Sequence, residues 1–256
     1  MLVIGLDGAT WDIINPNIAR LPNLGKLISQ FDHYTISLKQ KPWSASVWCS
    51  LFSGKTPEEH QHLDFVKDGK IQTRDDVKVE FIWDILDKSG LNVKALNIPF
   101  IVPPYNFNLE FDPPGHGVPI TQEELNAEID LVTKKVLNIL SQEKPDLLIA
   151  VYTALDKMSH LHWGEPALID YYEKIDQAIG PIIDSDDQVL ILSDHGFTDY
   201  DSAPIQTLPK ITATGNELKG DHHPDAIAIA KNIPFKITQP IDLFNGLYNY
   251  FNQGKK

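Results

Sequence analysis

Three short apolar runs in this chain stop on the same kind of residue. Leu2–Leu6 runs into Asp7-Gly8, Leu147–Tyr152 runs shortly into Asp156-Lys157-Met158-Ser159-His160, and Val189–Ser193 runs into Asp194-His195-Gly196. Short apolar runs that end in turn or acidic residues and alternate with segments of helical period are the pattern of an α/β domain with a largely parallel sheet. Three further runs, Tyr34–Leu38, Asn92–Asn97 and Ala226–Ala230, complete the expected strands. In open α/β sheets the carboxyl ends of the strands form the ligand edge, so Asp and His groups from three separate strands are expected to converge there.

The helical segments are legible from caps and period. Thr121-Gln122-Glu123-Glu124 is a capping box, followed by Leu125, Ile129, Val132, Val136 and Leu140 on one face and closed by Pro145. A second helix is expected over Pro166–Ile183, and a third over Glu80–Lys88, ending at Gly90 as a left-handed cap would. Pro57–Val79 and Pro99–Ile120 are rich in Pro, Gly and charge without period and are expected to be long loops of functional interest.

Composition excludes more than it selects. With 256 residues, 42% hydrophobic and 22% charged, one compact domain over residues 1–256 with a full core is expected. A net charge of −13 argues against a duplex nucleic acid or a membrane surface as partner. Met1 leads directly into Leu2-Val3-Ile4 with no basic leader, and no apolar stretch approaches the roughly 20 residues a bilayer requires. The single cysteine, Cys49, lies in an apolar run as a buried inert thiol and suits a reducing, cytoplasmic location.

Asp156 and His160, at i and i+4, can share one face of a helical turn and chelate a metal, and Asp194 with His195 can reach a second position from a sharp turn. Singly, each element is weak. An Asp after a strand is more often a helix N-cap, and His222-His223 in Gly220-Asp221-His222-His223-Pro224-Asp225 reads equally as a polar loop. Together, oxygen and nitrogen donors without thiolate suit zinc, manganese or iron better than calcium or an iron–sulfur centre. A helix expected to start near Ser44, in Pro42-Trp43-Ser44-Ala45-Ser46, would stand a hydroxyl beside free backbone amides, a place suited to phosphate or simply to a cap.

The order of these motifs resembles the alkaline phosphatase superfamily, in particular its type I phosphodiesterase/nucleotide pyrophosphatase-like branch. The matching stretches are Val3 to Gly8, Leu21 to Leu24, Ser44 to Gly54 with Pro57 and His60, Trp83 to Leu86, Asn97 to Pro99, Asp156 to His160 with Trp163, Ser193 to Gly196, and Gly220 to His222. The resemblance implies a three-layer sandwich with a mostly parallel central sheet and helices on both faces. It assigns Asp156, His160 and His222 to one divalent ion and Asp7, Asp194 and His195 to another, with zinc the usual metal and manganese used in some branches. It makes Ser44 the nucleophile, with Ser46 a rival, and implies in-line attack on phosphorus through a phosphoserine. The implied substrates are small molecules with phosphodiester or pyrophosphate bonds, nucleotides among them. The alternatives are a phosphomonoesterase or phosphomutase on the same two-metal core, or a relative that binds metal or phosphate without turnover.

Two residues qualify the substrate. Phe65 stands where the nucleotide pyrophosphatases carry an Asn that holds a phosphoryl oxygen, and offers apolar surface to a second ester group instead. Lys157, beside Asp156, is the candidate cation for a dianionic monoester, and otherwise a solvated surface lysine. Trp11, Trp43 and Trp163 fall near the assigned ligands in sequence, although a tryptophan beside a core helix usually packs.

Overall fold

The structure is a computed structural model that describes residues 1–72, 74–99, 121–212 and 215–252. Along the chain run β1 (Leu2–Leu6), α1 (Trp11–Ile14), α2 (Pro22–Gln30), β2 (Asp32–Ser37), α3 (Ser44–Ser53), α4 (Pro57–His60), β3 (Val66–Lys67), β4 (Lys70–Ile71), α5 (Ile82–Lys88) and β5 (Val93–Leu96). There follow α6 (Gln122–Gln142), β6 (Leu147–Tyr152), α7 (Ala154–His162), α8 (Pro166–Ile183), β7 (Val189–Leu192), β8 (Gly196–Asp199), β9 (Gly220–His223), β10 (Asp225–Lys231) and α9 (Ile241–Asn252).

Six strands form one sheet in the order β2-β10-β7-β1-β6-β5. It is parallel except for β10, which runs antiparallel to both β2 and β7. The central strands are apolar on both faces because both faces are covered. In β1, Leu2, Ile4 and Leu6 enter one core, built with residues of α2, α6, α7 and α8, while Val3 enters the other, built with residues of α3, α5 and α9. Leu148, Ala150 and Tyr152 of β6 take the first side and Leu147, Ile149 and Val151 the second. This is the expected three-layer arrangement. Among the described residues, no helix is long and apolar enough to cross a membrane.

The capping box of α6 forms as its spacing requires: Thr121 Oγ1 accepts from the Glu124 amide at 3.2 Å, and Glu124 Oε2 accepts from the Thr121 amide at 2.8 Å. Leu125, Ile129, Val132 and Val136 are buried along it, and one carboxylate, Glu128, shares that buried face.

The expectation of a long loop over 57–79 is corrected. Thr56 and Glu59 form a capping box that starts the one-turn helix α4, with Pro57 at its first position, and β3 pairs with β4 across Asp68-Gly69. Both turn residues have positive φ, 52° and 73°, the geometry that favours Asp-Gly in a two-residue hairpin. Two-residue strands are too short to show alternation, which is why the segment has no period. The other expected loop, 99–120, lies outside the described residues apart from Pro99.

Candidate metal centre

β1, β6 and β7 all point the same way, so Asp7, the start of α7 and Asp194-His195 emerge at one edge of the sheet. His222 comes before its strand in sequence, yet it reaches the same edge. The reversed direction of β10 puts its first residues there, and β9 folds back over that edge as an antiparallel partner of β8, with Phe197 opposite His222.

Around His195 Nε2 lie Asp194 Oδ2 at 3.2 Å and Asp7 Oδ1 at 3.5 Å. Both carboxylate oxygens are buried without a hydrogen-bond partner among the described residues. Asp156 Oδ1 lies 3.1 Å from His222 Nε2, 3.6 Å from His160 Nε2 and 3.8 Å from His195 Nε2, and the His160 and His222 Nε2 atoms are 3.1 Å apart. Asp7, Asp194 and His195 form one group able to hold an ion, Asp156 with His195 and His222 a second, and His160 with His222 and Asp221, a residue the sequence did not single out, a third. All six residues assigned as ligands therefore meet, with Asp156 between the two halves.

The three imidazoles are oriented by their outer nitrogens. Nδ1 of His160 faces the Gly220 carbonyl at 3.0 Å, Nδ1 of His195 the Gly196 carbonyl at 2.9 Å, and Nδ1 of His222 the Pro42 carbonyl at 2.5 Å. Each Nδ1–H donates to a backbone oxygen, which turns each Nε2 toward the cluster. Phe197 lies against all three rings, with centroids 4.8 Å from His160, 5.7 Å from His195 and 5.2 Å from His222.

Electrostatics agree with a cation site. Burial, and then the charges of Asp194 and Asp156, push the Asp7 carboxyl well above the usual carboxylate range. Burial also raises Asp194, with Asp156 adding to it and His222 opposing. Two buried carboxylates that resist ionisation, each with an unpaired oxygen aimed at the same imidazole nitrogen, are a donor set that a divalent cation satisfies. Burial lowers His195 well below its ordinary value, with His222 contributing, and lowers His160, whereas, against the effect of burial, Asp156 raises His222 above its own. Burial opposes the charge on Asp156 as well, but His160, His222 and His195 outweigh it and keep its carboxyl ionised.

Ser44 is the first residue of α3, and its Oγ lies 3.0 Å from His195 Nε2. Ser46 faces another way, its Oγ 3.5 Å from the Gln40 amide. Phe65 is half-buried, with its ring 6.4 Å from that of His62. Lys157 is not a solvated surface lysine: it is buried, with Nζ 3.7 Å from Glu128, because the carboxylate inside α6 draws it in. Trp163 stacks on Phe197 at 6.0 Å, Trp43 lies under the Lys41 ammonium at 4.3 Å, and Trp11 meets His33 edge-on at 5.9 Å.

Sequence reading missed Trp48, whose Nε1 donates to Asp7 Oδ2 at 3.1 Å and leaves Oδ1 as the oxygen without a hydrogen bond among the described residues. The signal was Gly5 in the middle of an otherwise bulky strand. A Cβ there would meet Trp48 Cη2 at 2.7 Å and Val151 Cγ2 at 2.8 Å, so the glycine makes room for the indole.

The chain matches the family described as type I phosphodiesterase / nucleotide pyrophosphatase over residues 1–226. Among solved structures it is similar to human ectonucleotide pyrophosphatase/phosphodiesterase 5, at 14% identity and a TM-score of 0.68, covering 98% of this chain and 94% of that one. An inactive murine form of the same protein in complex with AMP gives 13%, 0.66, 98% and 94%. Phosphonoacetate hydrolase from Sinorhizobium meliloti 1021 in complex with phosphonoformate gives 13% and 0.62; the match covers 84% of this chain and only 58% of the hydrolase. Among curated proteins, none matches the chain significantly in sequence. At such identities the structural likenesses speak for the fold, whereas the family match spans most of the chain and takes in all six converging donors and Ser44. The chain therefore belongs to the type I phosphodiesterase / nucleotide pyrophosphatase family, a branch of the alkaline phosphatase superfamily.

Proposed function

We propose that this protein is a metal-dependent hydrolase of phosphodiester or pyrophosphate bonds in small, nucleotide-like molecules, with Ser44 as its nucleophile. The observation that carries the reading is the position of the Ser44 hydroxyl. It stands at a helix start, 3.0 Å from the nitrogen on which Asp7 and Asp194 also converge. Asp7, Asp194 and His195 would hold one divalent ion and Asp156, His160 and His222 the other; zinc suits the mixed carboxylate and imidazole donors, with manganese the alternative. Such ions, when bound, activate the nucleophile and neutralise charge on the phosphoryl group and the leaving oxygen.

Ser44 Oγ forms the bond to phosphorus as the bond to the leaving oxygen breaks, and the leaving group departs with a proton. Water then attacks the phosphoserine, the Oγ–P bond breaks, and the hydroxyl is restored. The first amides of α3 lack intrahelical acceptors, so they add donors for the phosphoryl oxygens beside Ser44. The AMP and phosphonoformate complexes of the structural neighbours support a small phosphorus-containing anion as ligand. Lys157, the cation that a dianionic monoester would call on, is committed to Glu128, which favours the diester monoanion. The buried single cysteine supports a reducing, cytoplasmic setting.

The test is hydrolysis of bis-p-nitrophenyl phosphate against p-nitrophenyl phosphate with zinc or manganese, in the wild type, Ser44→Ala and Ser46→Ala. We expect a higher kcat/KM for the diester, loss of most turnover in Ser44→Ala with metal binding retained, and a much smaller effect of Ser46→Ala. Equal losses in both variants would remove Ser44 from its role, and a clear monoester preference would favour a phosphomonoesterase.

A further inference from the structure

Glu128 is a carboxylate on the apolar face of α6, only 1% exposed, where no core needs one. Burying it costs several kcal/mol unless donors surround it. Those donors are present: Thr153 gives its amide to Oε1 at 2.7 Å and its hydroxyl to Oε2 at 2.7 Å, Asn97 Nδ2 reaches Oε1 at 3.0 Å, and Lys157 Nζ lies 3.7 Å from Oε2. Asn97 also donates to the Val151 carbonyl at 2.9 Å and holds a left-handed backbone, φ 53°, at the end of β5. Thr153 is the N-cap of α7, but its side chain does not cap its own helix; the anion standing at that helix start is supplied by α6.

We infer that Glu128 is a positioning residue for the Asp156/His160 half of the site, an inference that rests on the two-ion reading above. Thr153 and Lys157 are four residues apart and present one face of α7 to Glu128. Asp156 and His160, also four apart, present a neighbouring face to His222 and His195. Gripping the first face fixes the rotation of the helix about its axis, and hence where Asp156 Oδ1 and His160 Nε2 stand. Asp7, Asp194 and His195 are carried by the ends of β1 and β7 and do not depend on that grip.

Cobalt(II) titration of the full chain, followed by visible absorption, separates the two halves, with Asp7→Asn and His160→Asn identifying the signal of each. In Glu128→Ala we expect the signal lost in His160→Asn to need up to about tenfold more cobalt, the low end of the loss when a direct partner of a ligand is removed, because Glu128 acts through Thr153 and Lys157, while the other keeps its wild-type midpoint. Thr153→Val, which removes one hydroxyl donor, should shift the same signal in the same direction by less. Glu128→Gln with Lys157→Met, which keeps an acceptor for the Thr153 amide and leaves no unpaired charge, should restore it, and serves as the test if the alanine variant does not fold. Equal weakening of both signals, or no change in either, would overturn the inference. A wild type that gives no cobalt signal would instead remove the two-ion reading, and the inference with it.

Discussion

Replacing Trp48 by Phe should weaken metal binding while leaving the aromatic packing largely in place. The indole is fully buried and stacks on Phe52, with centroids 5.9 Å apart and planes 6° from parallel, and a phenyl ring can keep that stack. What it cannot keep is the 3.1 Å hydrogen bond from Nε1 to Asp7 Oδ2, which orients the carboxylate so that Oδ1 faces His195 and Asp194. A hydrogen bond to a charged group contributes about 1.5–3 kcal/mol. Loss of a partner behind a metal ligand typically costs about 10–100-fold in affinity, or about 1.4–2.7 kcal/mol, which is the size expected here. Urea unfolding with and without saturating zinc reads the difference directly, because ligand-induced stabilisation falls by about 1.4 kcal/mol for each tenfold rise in Kd. The smaller ring also leaves a void, which destabilises the ion-free protein by on the order of 1 kcal/mol. Phe52→Leu is the packing control, expected to lower both curves equally. If the zinc-induced increment of Trp48→Phe matches that of the wild type, the indole does not orient Asp7 and the reasoning fails.

Two further outcomes follow from the burial of single groups. Burial pushes the Cys49 thiol up to about 12, against smaller opposing effects of Ser53 and Arg74, so thiol reagents should modify the native protein at neutral pH only as fast as it unfolds, and rapid native-state labelling would contradict this. His62 is lowered to about 4 by burial and by neighbouring His60, against 6.5 in an exposed chain. Because the unfolded chain binds the extra proton, stability is full above about 6.5 and declines as pH falls toward 4, by up to about 3 kcal/mol for this group. Unfolding of His62→Gln at pH 4.5 and 7 should show a smaller difference than the wild type, and an identical difference would refute the assignment.

The middle of the sheet was legible because β1, β6 and β7 are buried on both sides and read as uninterrupted apolar runs; β1 and β6 have the bounds that Leu2–Leu6 and Leu147–Tyr152 suggested, whereas the edge strand β2, mostly exposed, starts and ends off the expected Tyr34–Leu38. The convergence of Asp7, Asp156, Asp194 and His195 followed from one rule about strand ends, and Asp156 and His160 from helical spacing. His222 was assigned from motif order alone, since a residue preceding a strand reaches the ligand edge only if that strand is reversed or the chain folds back over the sheet, and neither leaves a trace in composition. Neither sequence alternative for Lys157, a cation for a dianionic monoester or a solvated lysine, includes its pairing with Glu128, because that partner is 29 positions away in the chain, on a helix whose period marks its face as apolar. Trp48 was hidden for a similar reason: in a run such as Val47-Trp48-Cys49, an indole that packs and one that donates look alike.

The reversed strand β10 also sets the order in which a chain leaving the ribosome can complete itself. Among the described residues β2 pairs within the sheet only with β10, so residues 32–37 must wait for residues 225–231 before their ladder can close. Until then β7 presents an unpaired flank, and the first 37 residues carry a strand with nowhere to dock. Contacts this distant in sequence slow folding and leave partly formed sheets open to one another. A chain stopped before Asp225 would lack the strand that joins its first and last thirds, and its fate should be association with other incomplete copies rather than a smaller working enzyme.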